Sequence, residues 1–243
     1  MRIAVISDIH GNAVALDAAL ADIASQGVDK IVCLGDAIQW GPQPTETVHR
    51  LRGLPCALVM GNTDAWLLSG QETGNEGVTP AQEEVRQWSL DHLSEADRAF
   101  IAAFAPTVCI AVTGDDTVLC FHGSPASFDD IILPTMPSDE VFPFFQGQDA
   151  RWFVGGHTHV QQLRSFSDGF FFNPGSIGVV YRDDRPDEYA RLEPWAEYAL
   201  LTARETTVSV EFRRVPFDVA QLMTIARQSG RPHLDRILQG YAT

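Results

Sequence analysis

The chain has 243 residues, 45% of them hydrophobic, with no low-complexity tract, so it is long enough to bury a large core and reads as one globular domain over 1–243. Its 32 acidic side chains against 17 basic ones give a formal charge of −15 with no Lys/Arg run, which argues against long nucleic acids and anionic membranes as partners. Cys33, Cys56, Cys109 and Cys120 sit in apolar stretches without a CxxC pair, so they read as small buried hydrophobes in a reducing compartment and not as disulfides or thiolate ligands.

Met1 leads almost directly into IAVIS and the polar DIHGN, too short for the apolar part of a secretory signal, and no later run approaches a membrane span. A soluble, cytoplasmic chain is expected. RIAVIS (2–7) reads as a buried strand, NAVALDAALADIASQG (12–27) as a helix ending at Gly27, and DKIVCLG (29–35) as a second strand, together a βαβ unit. PTETVHRL (44–51) follows as a short helix and PCALVM (55–60) as a third strand. A helical insertion around 64–104 includes two helices over 80–104 divided near Ser94, and GQETGNEGVTP (70–80) reads as a mobile surface loop. From Thr107 the pattern turns to hairpins: TVCIAV with TVLCFH, RWFVGG alone, QQLRSF with GFFFNP across SDG, and EYALLTA with TVSVEFRRV. VAQLMTIARQSG (219–230) closes with a helix. Parallel βαβ units followed by antiparallel strands predict an α/β fold of two packed sheets between helices.

The ends of these strands carry the chemistry. IAVIS runs into Asp8-Ile9-His10, KIVCLG into Asp36, ALVMG into Asn62, TVLCF into His122, and RWFVGG into His157-Thr158-His159. One such residue reads as a cap or a hydrogen-bonded polar group. Seven placed just past apolar strands read as donors meeting at the carboxyl edge of a sheet, where ligands gather in such folds. Two carboxylates, four imidazoles and one amide, without thiolate, suit Mn, Fe, Zn, Co or Ni better than an all-oxygen calcium site. Seven ligands are too many for one open ion and suffice for two if a carboxylate bridges. Such a pair generates hydroxide near neutral pH and clamps a phosphoryl group, and with two carboxylates and one hydroxide it keeps a net charge of about +1 that attracts phosphate.

SDIHGN, LGD, MGNTD, FHG and GGHTH, in this order and spacing, resemble the calcineurin-like metallophosphoesterase family, especially its compact bacterial phosphodiesterase branch; NPGSIG at 173–178 extends the resemblance. It implies a four-layer αββα sandwich of two mixed sheets flanked by helices. It also implies a dinuclear centre in which Asp8, His10, Asp36 and His159 hold one ion and Asp36, Asn62, His122 and His157 the other, with Asp36 bridging and manganese the first ion to try in assay. The expected activity is hydrolysis of a small phosphodiester or phosphomonoester by a metal-bridging hydroxide, with Asp36 and Asn62 in catalytic roles and the two glycines of GGHTH letting the backbone approach closely. A dinucleoside polyphosphate hydrolase, a protein phosphatase and a non-catalytic metal-binding scaffold of the same fold stand as alternatives. The expected partner is a small phosphorylated substrate, which includes nucleotides.

Other residues admit two readings. Asn12 serves either phosphate or as the N-cap of its helix, while Asn62 is expected to contact substrate as well as metal. Trp40, in GDAIQWGPQP, either stacks on a nucleobase or packs its own loop, with packing the weightier reading. His49, His92 and His233 fall in predicted helices and read as surface residues, and Arg182 and Arg185 in YRDDR as solvated ion pairs. Many family members have GNHD or GNHE at the third motif, whose histidine is thought to protonate the leaving oxygen. This chain has Gly61-Asn62-Thr63-Asp64, and threonine cannot supply that acid.

Overall fold

The computed structural model describes residues 1–71, 77–114, 116–166, 169–182, 191–204 and 207–241. The chain opens with β1 (Arg2–Ile6), α1 (Ala13–Ser25), β2 (Lys30–Cys33), α2 (Pro44–Arg52) and β3 (Cys56–Leu58), followed by three helices, α3 (Asn62–Ser69), α4 (Pro80–His92) and α5 (Glu95–Ala102). Next come β4 (Val108–Thr113), β5 (Asp116–Cys120), the single turn α6 (Ser138–Val141) running into a 3-10 turn at Phe142–Phe145, β6 (Trp152–Val154), β7 (Gln162–Ser165) and β8 (Phe170–Asn173). The short strands β9 (Tyr181–Arg182) and β10 (Arg191–Leu192) pair as a ribbon, and β11 (Trp195–Arg204), β12 (Thr207–Pro216), α7 (Val219–Gln228) and α8 (Asp235–Gly240) complete the described elements.

Two mixed sheets form. The first has the order β12-β11-β1-β2-β3, the second β4-β5-β6-β8-β7. β1, β2 and β3 run parallel, as βαβ connections require, whereas β11 and β12 join as an antiparallel hairpin on the flank of β1. Period-two alternation sends neighbouring residues to different layers. Ala4 and Ile6 pack against α1 and α2, while Ile3 and Val5 face the second sheet with Val118, Trp152, Val154 and Phe172. On the far side of the second sheet Phe121, Phe153 and Phe171 pack under Ile132, Val141 and Phe145. Three apolar seams thus separate four layers, as the resemblance implied, but the fourth layer is the irregular segment around α6 and not a row of long helices.

α3 begins at the motif asparagine itself, slightly ahead of the expected insertion. It lacks a polar stripe because Leu67 is buried and Ala65, Trp66 and Leu68 are half-buried. Capping boxes at Thr79/Gln82 and Ser94/Asp97 start α4 and α5 and account for the break near Ser94. Three smaller expectations are corrected. Cys109 is exposed and Cys56 half-buried, because edge strands leave part of their surface uncovered; only Cys33 and Cys120 are buried, and all four are free thiols. His233 lies outside a helix, in the loop before α8, where Nε2 meets Glu84 at 2.9 Å. Residues 72–76 of the predicted loop, Ser167 and Asp168 of the SDG turn, and Arg185 lie outside the described residues. Among the described residues no helix is long and apolar enough to cross a membrane.

Candidate metal centre

The segments leaving β1, β2, β3, β5 and β6 converge, and all seven side chains singled out by sequence meet there. Asp8, His10 and His159 offer ligand atoms within 4.8 Å of one another, and Asp36, His122 and His157 do the same. Asp36 faces both sets. Its Oδ1 is 3.4 Å from His122 Nε2 and its Oδ2 is 3.8 Å from His10 Nε2. Asn62 Oδ1 lies 3.0 Å from His122 Nε2, which adds the amide to the second set.

The chain takes unusual conformations to bring them together. Asp8, His10, Asp36, His157 and His159 all have left-handed backbones, with φ between 49° and 69°, a region that costs a residue with a Cβ and persists only when its surroundings impose it. The NPGSIG segment crosses from β8 to the end of β1 and does part of this: the N–H of Ile177 donates to Ser7 O, and both Gly178 N–H and the Ser176 hydroxyl donate to Asp8 O. Asn173 donates to Gly156 O and so anchors the loop bearing the two histidines. Gly156 itself packs so closely on the segment leaving β1 that a Cβ there would lie 2.1 Å from Ser7 Oγ.

The donor set fits divalent cations. His10 Nδ1 is 3.0 Å from Gln39 O, His122 Nδ1 2.9 Å from Leu34 O, and His159 Nδ1 2.7 Å from Val179 O. A carbonyl oxygen only accepts, so each Nδ1 carries a proton and each neutral ring directs the Nε2 lone pair inward, the arrangement that orients metal-binding imidazoles. His10 Nε2 and His159 Nε2 are 3.1 Å apart, a separation suited to two ligands of one small cation and unsuited to two bare lone pairs. Asp8 Oδ1, 3.2 Å from His159 Nε2, is buried without a hydrogen-bond partner among the described residues. Asn62 Oδ1 likewise faces acceptors only, on Asp36, His122 and His157. Electrostatics agree: burial opposes charge on Asp36 and Asp8, but the imidazoles beside them outweigh it and hold both carboxyls below the usual range. Burial also opposes protonation of His122, yet Asp36 beside it pushes its pKa up to about 9, so a proton on Nε2 competes with a cation for that position.

Around these ligands the structure assigns work that sequence left open. Asn12 caps α1: its Oδ1 accepts from Ala15 N–H and its Nδ2 donates to Gly178 O, so both ends of the amide are engaged. Asp64 is fully buried and accepts from the N–H groups of Ala37, Ile38 and Gly61, tying the Asp36 loop to the Asn62 loop. Burial and the nearby Asp36 push its pKa up to about 7, but its oxygens are committed to backbone. Thr63 N–H donates to Asp36 Oδ1 at 2.9 Å and orients that carboxylate. Arg182 pairs with Glu193 at 2.9 Å, as its acidic neighbours suggested. Sequence reading missed Ser176, Asn173 and Tyr181. The first two lie inside the quoted NPGSIG, to whose residues no role was given, whereas nothing local marks Tyr181, which stacks on His159.

A family model described as a calcineurin-like phosphoesterase superfamily domain matches residues 1–196. Among solved structures, a metallophosphoesterase from Sphaerobacter thermophilus is 27% identical, covers 99% of both chains and superposes with a TM-score of 0.73. A hypothetical protein from Pyrococcus horikoshii OT3 is 21% identical over 99% of this chain and 97% of its own, with a TM-score of 0.82. An uncharacterised protein of Methanocaldococcus jannaschii is 51% identical over 71 residues, a match that spans 29% of this chain and 29% of that relative.

Proposed function

Because the chain belongs to the calcineurin-like phosphoesterase superfamily, whose members bind divalent metals, we propose that it is a metal-dependent hydrolase of small phosphate esters with a dinuclear centre. The observation that carries the reading is the placement of Asp36 between the two ligand sets, one carboxylate oxygen toward each. Asp8, His10, Asp36 and His159 would hold one ion, and Asp36, Asn62, His122 and His157 the other. Bound there, the ions supply Lewis-acid charge to a phosphoryl group and acidify water at neutral pH.

The chain's own residues make that chemistry orderly. The carbonyls of Gln39, Leu34 and Val179 fix three imidazoles in one tautomer, Thr63 N–H fixes Asp36, and the NPGSIG segment fixes Asp8. Positive charge gathered at this edge attracts phosphate to a chain of formal charge −15 and makes a small substrate the natural one.

The reading is tested by stripping the protein with a chelator, reloading it with Mn, Fe, Zn, Co or Ni, and assaying an aryl phosphomonoester, an aryl phosphodiester and nucleotides. Near two ions per chain and hydrolysis that returns only with metal are expected. Equal rates in stripped and reloaded protein would overturn it, and full metal uptake with no turnover of any ester would assign the centre a binding role.

A further inference from the structure

Two aromatic rings border the side of the centre that carries His10 and His159. Trp40 meets His10 edge-on with ring centroids 6.5 Å apart, and Tyr181 lies over His159 at 5.3 Å and 10°. Tyr181 keeps 49% of its surface exposed, so one face of its ring covers a candidate ligand and much of the rest meets solvent. A tyrosine kept for packing alone buries its ring in apolar surroundings.

Trp40 is held in a costly conformation. Its φ is 99°, well outside the regions open to a bulky side chain, and its neighbours impose it. Gln39 O meets His10 Nδ1, and Gly41 lies so near His10 that a Cβ would be 2.1 Å from its carbonyl oxygen. Trp40 O accepts from Arg231 Nε at 2.5 Å, a bond that spans 191 residues. Arg231 is 5% exposed, its guanidinium sits 5.9 Å from the Trp40 ring centroid, and the guanidinium's other hydrogen bonds among the described residues go to the carbonyls of Pro232 and His233. A buried cation held by carbonyls and an indole, with no carboxylate hydrogen-bonded to it among the described residues, is costly for stability alone. The charges of Asp8 and of the exposed Arg236 of α8 both bear on Tyr181, and that of Arg236 bears on Arg231 as well.

We propose that Trp40 and Tyr181 form the recognition surface for a flat aromatic group of the substrate, supplied by a nucleobase, and that Arg231 is the positioning residue that keeps Trp40 in place. The proposal rests on the phosphoesterase reading above and narrows its substrates to nucleotides and their esters. The phosphate meets the ligand sets, and the base meets the rings beside His10 and His159.

Calorimetric titration of the Mn²⁺-loaded protein compares an AMP analogue, with carbon in place of the ester oxygen, against the ribose phosphonate that lacks only the base. Neither is hydrolysed at that bond. The analogue with the base should bind roughly 5- to 100-fold more tightly, the range that stacking of one base provides. Tyr181→Leu and Trp40→Leu should bring that ratio toward one, Arg231→Ala should lower it, and Arg231→Lys, which keeps a donor for Trp40 O, should restore it. A ratio near one in the parent, or one unchanged in Tyr181→Leu, overturns the proposal. Binding of the base-bearing analogue that is indifferent to metal would sink the metal-centred reading while leaving the aromatic surface measured, and absence of all binding sinks both.

Discussion

Asp22 and Asp36 are both carboxylates held below the usual pKa range, but by partners of different kinds. Asp22, on α1, is held there by hydrogen bonds from Arg213 of β12, with a further bond from the Tyr198 hydroxyl of β11. Charge and donors balance inside that cluster, and none of its three residues has a left-handed backbone. Asp36 instead stands among imidazole lone pairs, near an orphaned Asp8 oxygen and next to a run of left-handed residues. A polar cluster that closes on itself is a joint between elements; one whose acceptors outnumber its donors is shaped for something brought from outside.

The strongest way to break this contrast is to neutralise each carboxylate in turn. Asp36→Asn should lower hydrolysis by at least about 10³-fold and reduce bound metal, since a bridging ligand serves both ions. Asp22→Asn should leave the metal content intact. His49→Ala, which removes a side chain 60% exposed, should change neither, and losses equal to those of Asp36→Asn would remove the bridging assignment.

A second test asks what protonates the leaving group. With Thr63 where the resemblance leads one to expect histidine, and Asp64 bonded to backbone, no side chain of the third motif is placed to act as the acid. Phosphate esters graded by leaving-group pKa should therefore show steep selectivity, with aryl, nucleotidyl or pyrophosphoryl leaving groups favoured over alkoxides by about 10²- to 10⁴-fold in kcat/KM. A flat dependence, with chemistry rate-limiting, would place the acid elsewhere and remove the significance of Thr63.

The smallest effect belongs to the self-contained cluster. Asp22→Asn should cost about 2 kcal/mol near pH 7, read from urea unfolding, because bonds to a charged acceptor are lost. Its folded pKa lies below its unfolded value, so the contribution is full above about pH 4 and disappears as the pH falls further; the parent and the variant should then converge. A gap that does not narrow at all as the pH falls below about 4 would show that packing around Tyr198, and not the Asp22 charge, is what the substitution disturbs.

That the candidate ligands gather at one edge was legible because each lies just past an apolar strand. Asp8, Asp36 and His122 needed only the recognition of β1, β2 and β5, together with the habit of ligands to gather at carboxyl strand ends. Cys109 was misjudged because an apolar stretch reveals a strand without revealing which of its faces is covered. Trp40 stayed ambiguous because the partner that imposes its backbone, Arg231, lies 191 residues away.

The sequence by itself determined the periodicities, hence the strands, the long helices and the set of seven donor side chains, because these depend on neighbours within a turn or a strand. Tertiary structure alone decided which carbonyl fixes each imidazole, and that Tyr181 and the Arg231–Trp40 pair border the centre. Those contacts join residues far apart in the chain, across two sheets and the closing segment, and no local pattern encodes a distance that only packing sets.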